Sequence, residues 1–226
     1  MSPRTPVRCV VFDLDGTLID SRLDIARAAN HALAELGLPA LPVERVASFV
    51  GDGAAALLAR AAGVREDDAL VAKLLTPFLD FYSAHPTAHT TFMPGARDTL
   101  AALGPRYSLA ICTNKPRRTT DAVLAALDLV KPFAVVVANG DLPQKKPHPA
   151  PLRHIAERLG LAPSELAMVG DGPQDIEAGR AAGAFTVGVR GGIIPFERLL
   201  AASPDVMLDS LEELPALLEG HVPSQN

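Results

Sequence analysis

A chain of 226 residues is long enough for one large domain or for one domain carrying an insertion. Its 48% apolar and 21% charged residues suit a water-soluble globular protein with a substantial core. The formal net charge of −5, a pI of about 5.7 and the lack of any basic cluster argue against nucleic acid as a partner. The first apolar run begins only at Cys9, with no signal-peptide core before it and no stretch long enough to span a membrane. The expectation is a cytoplasmic protein.

In chain order, "CVVFDLD" (9–15) reads as the first strand, continuously apolar as in a strand buried on both faces. Residues 20–90 then carry no strand pattern. "RLDIARAANHALAELGL" (22–38), "VERVASFVGDGAAALLARAAGV" (43–64) and "EDDALVAKLLTPFLDFYSAH" (66–85) all read as helices, rich in Ala and Leu. Glu66, Asp67 and Asp68 suit the start of the last of these. A crossover needs far less chain than this. The expected architecture is a core of residues 1–20 and 90–226 with an inserted helical cap subdomain, 21–89, flexibly joined near residues 20–22 and 87–94. The alternative is an elaborate helical crossover packed on the sheet.

After the insert, strands and amphipathic helices alternate. The strands are "YSLAICTN" (107–114), "FAVVVAN" (133–139), "ELAMVGD" (165–171), "FTVGVR" (185–190) and "DVMLD" (205–209). Between the earlier ones lie "RTTDAVLAALDL", "APLRHIAERLGL" and "PQDIEAGRAAGA", and a last helix follows near "LEELPALLEG". This is the pattern of an α/β fold with a doubly wound parallel sheet. Cys9 and Cys112, each inside an apolar run, read as buried thiols of a reducing compartment.

In such a sheet, ligands bind beyond the carboxyl ends of the strands. The first strand ends in Asp13 and Asp15, the second in Thr113 and Asn114, and the fourth in Asp171 followed by Asp175. The segment after the third strand carries Lys145 and Lys146. Any one of these reads as ordinary turn chemistry; four converging strand ends read as a site. Clustered carboxylates suit Mg²⁺, which favours carboxylate, water and phosphate oxygens. An Asp can also attack phosphorus to form an aspartyl-phosphate. The repulsion opposing that attack, about 4 kcal/mol for two unit charges ~4 Å apart at an effective dielectric of ~20, calls for a cation and a lysine.

The motifs "DLDGT" (13–17), "CTNKP" (112–116), "KKPHP" (145–149) and "VGDGPQD" (169–175), in this order and with a helical insert after the first, resemble those of the haloacid dehalogenase superfamily of phosphatases. The resemblance spans residues 9 to about 215. Within the superfamily, "CTNKP" and "KKPHPAPL" most resemble phosphoglycolate phosphatases. It implies Asp13 as nucleophile and Mg²⁺ ligand, and Asp15 as general acid and then base, its backbone carbonyl also on the metal. Thr113 and the backbone at Asn114 would hold the phosphoryl group, Gly16 would form the sharp turn beside it, and Thr17 would lie close by. Lys146 would neutralise charge. Asp171 would complete the metal site, with Asp175 behind it or bound through water. The sequence departs from the family at Gly172, where Ser is common, and at Asn139, where Gly is common.

Members that cleave carbon–halogen or carbon–phosphorus bonds lack an Asp at the position of Asp15, which points away from those reactions. A sugar-phosphate phosphatase, a phosphomutase and a non-catalytic phosphometabolite-binding or regulatory protein remain alternatives. The expected enzyme acts on a small phosphorylated metabolite, 2-phosphoglycolate foremost, as a monomer or weak homodimer without membrane contact. In the insert, "VGDG" (50–53) places Gly51 and Gly53 around Asp52 before a helix, where free N–H groups bind anions. The loop reads as a substrate-recognition element, or alternatively as a turn with Asp52 as N-cap. "GGIIPF" (191–196) reads as a loop near the site or a plain connection. His148 reads as a loop-orienting or solvent-facing residue, and His85 and His89 lack metal-ligand spacing.

Overall fold

The computed structural model describes residues 5–219. Its elements run β1 (Cys9–Phe12), β2 (Ile19–Asp20), α1 (Arg22–Glu35), α2 (Val43–Ala47), α3 (Ala54–Ala62), α4 (Ala69–Ala84), β3 (Thr91–Phe92) and α5 (Ala96–Leu103). They continue with β4 (Ser108–Pro116), α6 (Arg117–Ala126), β5 (Val135–Asn139), α7 (Ala150–Leu159), β6 (Leu166–Gly170), α8 (Pro173–Ala182), β7 (Phe185–Val189), α9 (Phe196–Ala201), β8 (Val206–Leu208) and α10 (Leu214–Glu219). Six strands form one parallel sheet in the order β5-β4-β1-β6-β7-β8. This is the doubly wound sheet that the alternation of apolar runs predicts.

Both faces of the sheet are buried, which is why its strands read as continuous apolar runs. Val10, Phe12, Ile111 and Val169 pack into one cluster with Leu100 and Leu103 of α5 and Val123 of α6. Cys9, Val11, Cys112 and Met168 point the other way, against Leu152 and Ile155 of α7 and Ala178 of α8. Cys9 and Cys112 are free, and burial pushes both thiols up to about 12, so they pack as small apolar groups. No helix among the described residues is long and apolar enough to cross a membrane.

Between the joins at β2 and β3 the chain forms four helices, α1–α4. Their buried residues, among them Ala29, Leu58 and Leu74, join the same cluster as Val10 and Phe12. The two joins, expected to be flexible, are tied together by an antiparallel ladder pairing Ile19 with Phe92 and Asp20 with Thr91. Beside it, the Asp24 carboxylate accepts from His89 N–H at 2.9 Å and from Thr90 Oγ1 at 2.8 Å.

The helical stretch over 43–64 is two helices parted at the 50–53 turn, where Gly51 (φ +122°) and Gly53 (φ +91°) take backbone angles that other residues rarely adopt. The loop read over 191–196 ends at Pro195, and Phe196 opens α9. The Asp68 side chain does cap α4, accepting from Leu70 N–H at 2.8 Å.

Candidate active site

The order of the strands explains why residues distant in sequence meet. β1 lies between β4 and β6, with Phe12 level with both Ile111 and Val169. At this point the chain has run outward on one side of β1 and then resumes on the other. The carboxyl ends of three adjacent strands therefore open on one crevice. Asp13 leaves β1 there, its N–H donating to Val169 O at 2.9 Å. Thr113 and Asn114 lie near the end of β4, and Asp171 directly follows β6.

The carboxylates of Asp13, Asp171 and Asp175 come within 4.8 Å of one another, all three buried. Lys146 reaches among them, its Nζ 2.9 Å from Asp13 Oδ1 and 2.6 Å from Asp175 Oδ1. Of the two adjacent lysines it alone turns inward. Lys145 instead donates to Asp52 O at 2.6 Å. Asp171 Oδ2 accepts from the N–H groups of Ile193 and Ile194, at 2.8 and 3.1 Å, and Thr17 Oγ1 lies 3.4 Å from Oδ1. The 191–196 loop thus belongs to the site through two backbone amides that no side-chain motif could reveal. Gly16 also fits here: a Cβ on it would lie 2.9 Å from Ile193 N and would collide with the Asp171 carboxylate. A Cβ on Gly172 would press on the side-chain ends of Gln174 and Ile194, which would have to shift to admit it.

Burial pushes the Asp171 carboxyl up to about 7, with the neighbouring Asp13 adding to the shift against the hydrogen bonds from Ile194 and Ile193. Burial likewise raises Asp175. For Lys146, burial opposes the ammonium, but Asp13 and Asp175 outweigh it and hold its pKa above the ordinary lysine value. One lysine against three clustered carboxylates leaves an excess of negative charge. Asp13 Oδ1, although beside Lys146, makes no hydrogen bond. An all-oxygen, over-acidic donor set of this kind fits a hard divalent cation.

A test follows from Asp171. A carboxyl raised from 3.8 to about 7 keeps its proton in the folded chain where the unfolded chain has lost it. The stability of the metal-free protein should therefore fall as pH rises from about 4 to about 7. A bound cation favours the ionised form and removes that loss. The rise in Tm on adding Mg²⁺ to chelator-treated protein should be larger above about pH 7 than near pH 5. An equal rise at both would mean that Asp171 is not a ligand.

Beside the carboxylates lies a cavity lined by Asp13, Asp15, Thr113, Asn114, Gly51 and Gly53, with Ile25, Leu57 and Phe78 forming an apolar wall. The Asn114 side chain clamps this region. Its Nδ2 donates to Gly51 O at 2.9 Å and to Lys146 O at 3.0 Å, and its Oδ1 accepts from Lys146 N–H at 3.0 Å. The 50–53 loop is thus held by its carbonyls rather than free on both sides. Asp52 does not line the cavity; its carboxylate pairs with Arg60. Nor is it the N-cap, a place taken by Gly53. Asn139, at the end of β5, has its Nδ2 3.2 Å from where a Gly53 Cβ would lie.

Sequence reasoning missed Lys115, Tyr82 and Ser21. Lys115 stands inside "CTNKP" but drew no role, and its side chain is buried against Asp15, with Nζ 3.0 Å from Oδ1. Ser21 Oγ donates to the same carboxylate at 2.6 Å. Tyr82 offered a signal: it follows Phe78 by one helical turn on an apolar face, where a buried hydroxyl needs a partner.

The family model of haloacid dehalogenase-like hydrolases matches residues 10–189. A phosphoglycolate phosphatase of Shigella dysenteriae is 39% identical, with 97% of this chain and 96% of that protein covered. One of Chromobacterium violaceum is 40% identical, covering 94% and 97%. Among solved structures, a predicted phosphoglycolate phosphatase from Haemophilus somnus superposes with a TM-score of 0.85 at 29% identity, covering 95% and 99% of the two chains. A sheet whose first strand ends in a carboxylate of the buried acidic cluster, a family model matching residues 10–189 and relatives that cover nearly the whole chain lead to one conclusion: this chain belongs to the haloacid dehalogenase-like hydrolases.

Proposed function

We propose that this phosphatase hydrolyses 2-phosphoglycolate through an aspartyl-phosphate on Asp13. The observation that carries the reading is the meeting of Asp13, Asp171, Asp175 and Lys146 at the ends of adjacent strands. The choice of substrate leans on relatives of about 38–40% identity that bear that name.

In this reading Asp13 attacks phosphorus and the bond to the glycolate oxygen breaks, Asp15 giving its proton to the leaving alkoxide. Asp15, now ionised, takes a proton from the water that attacks the aspartyl-phosphate, releasing inorganic phosphate and restoring Asp13. Thr113 Oγ1 and the backbone around Asn114 hold phosphoryl oxygens, and Lys146 offsets the charge between Asp13 and the phosphoryl group. Asp13, Asp171 and the Asp15 carbonyl would hold Mg²⁺, with Asp175 supporting them. When bound, the ion supplies further charge neutralisation. Residues 21–89 act as a cap that excludes water, with the Gly51–Gly53 loop against the substrate's far end. The protein works in the cytoplasm as a monomer or weak homodimer, a setting consistent with its two free, buried cysteines.

The test is kcat/KM across a panel of phosphometabolites, with Mg²⁺ and after chelation. Phosphoglycolate should lead the panel, and chelation should abolish turnover until Mg²⁺ is restored. A sugar phosphate in first place would move the assignment to a sugar-phosphate phosphatase. Full activity in chelator would overturn the metal assignment.

A further inference from the structure

Lys115 takes no part in the steps above, yet it is a fully desolvated cation beside the residue that moves the proton. Its Nζ lies 3.0 Å from Asp15 Oδ1, 3.1 Å from Asp15 Oδ2 and 2.6 Å from the Tyr82 hydroxyl. An ammonium has three N–H donors, and these three partners use them all. A substrate carboxylate would find none left. Burial opposes the Lys115 charge, but Asp15 and Tyr82 outweigh it and raise its pKa. Burial pushes the Tyr82 phenol up to about 12, so it stays neutral and its oxygen accepts. From the other side, Ser21 Oγ donates to Asp15 Oδ1 at 2.6 Å.

Two parts of the chain thus hold the Asp15 carboxylate directly, and a third, through the Tyr82 hydroxyl, holds the Lys115 ammonium that grips it. Lys115 comes from β4 of the sheet, Ser21 from the join, and Tyr82 from α4 of the insert. We propose that Lys115 and Tyr82 are positioning residues that orient Asp15 for proton transfer, so that the acid is set only when α4 is docked on the sheet. The inference rests on the phosphatase reading. Without this grip the Asp15 side chain, at the start of a tight turn, keeps only Ser21 and is free to rotate away from the leaving oxygen. A misplaced proton donor loses rate steeply even over small displacements.

The test uses Tyr82→Phe, which keeps the ring and its packing, and Lys115→Met, which keeps most of the length. Three substrates are compared with Mg²⁺ in single-turnover phosphorylation: phosphoglycolate, ethyl phosphate and nitrophenyl phosphate. The first two leave as alkoxides that need a proton, the third as a stable phenolate, and only the first carries a carboxylate. Both alkyl esters should slow together, by ~10²-fold in Lys115→Met and by roughly 10-fold in Tyr82→Phe, while nitrophenyl phosphate changes far less. Equal slowing of all three would make the pair merely structural. Slowing confined to phosphoglycolate would make Lys115 a reader of the substrate carboxylate. Either result overturns the proposal. A wild-type protein inactive on all three would instead remove the phosphatase reading itself.

Discussion

Asp13→Asn should abolish turnover while leaving the fold intact. The side chain keeps its volume, so the packing of β1 against β4 and β6 is undisturbed. What disappears is the attacking charge, and with it one of the carboxylates in the cluster. Removal of a covalent nucleophile costs on the order of 10⁴–10⁶-fold in kcat where it has been measured in other enzymes. The expected loss here reaches that range for every phosphate ester, good leaving group or poor, because no substrate escapes the first step. Stability should hold or rise, since a buried negative charge beside Asp171 and Asp175 is gone. Turnover within tenfold of wild type, with circular dichroism showing an unchanged fold, would sink the covalent mechanism.

Lys146→Met should be the most disruptive single change at the site. The Lys146 side chain is only 1% exposed and contacts both Asp13 and Asp175. Breaking a buried pair by removing one partner costs about 3–5 kcal/mol, because the other charge is left uncompensated. At roughly 2–4 °C per kcal/mol for a protein of this size, the metal-free variant should melt at least ~6 °C lower. Activity should fall with it, as nothing replaces the cation between nucleophile and phosphoryl group. Mg²⁺ should bind the variant more tightly than wild type, because the same carboxylates now lack the one cation paired with them among the described residues. Calorimetric titration of both proteins settles this. Weaker Mg²⁺ binding would mean that Lys146 chiefly shapes the site and does not compete with the ion for charge.

These outcomes follow from residues that the sequence marked, but the two levels contributed differently. The apolar runs and their helical spacers determined the class of fold, because a strand buried on both faces must be continuously apolar. The polar residues ending those runs, Asp13, Thr113 and Asp171, determined where a site would be sought. The acidic and lysine motifs also sufficed to place the chain in its family.

Only the tertiary structure decided which of those residues touch. The family motif marked Lys146 over its neighbour Lys145, but two adjacent lysines are chemically identical, and only the fold shows where each goes. The path of the chain after β5 sends one to the Asp52 carbonyl and the other among the carboxylates. The 191–196 segment carries no acidic or basic side chain to give it away, yet its amides hold Asp171, since a backbone N–H is available at almost every residue. Lys115 and Tyr82 are separated by 33 residues and by the end of an insert, and each alone reads as unremarkable: a lysine at a strand end, a tyrosine on an apolar helix face. Sequence periodicity records which face of an element is buried, a local property of the chain. Which buried group meets which is set by strand order and by how the helices dock, and those depend on contacts summed over the whole molecule.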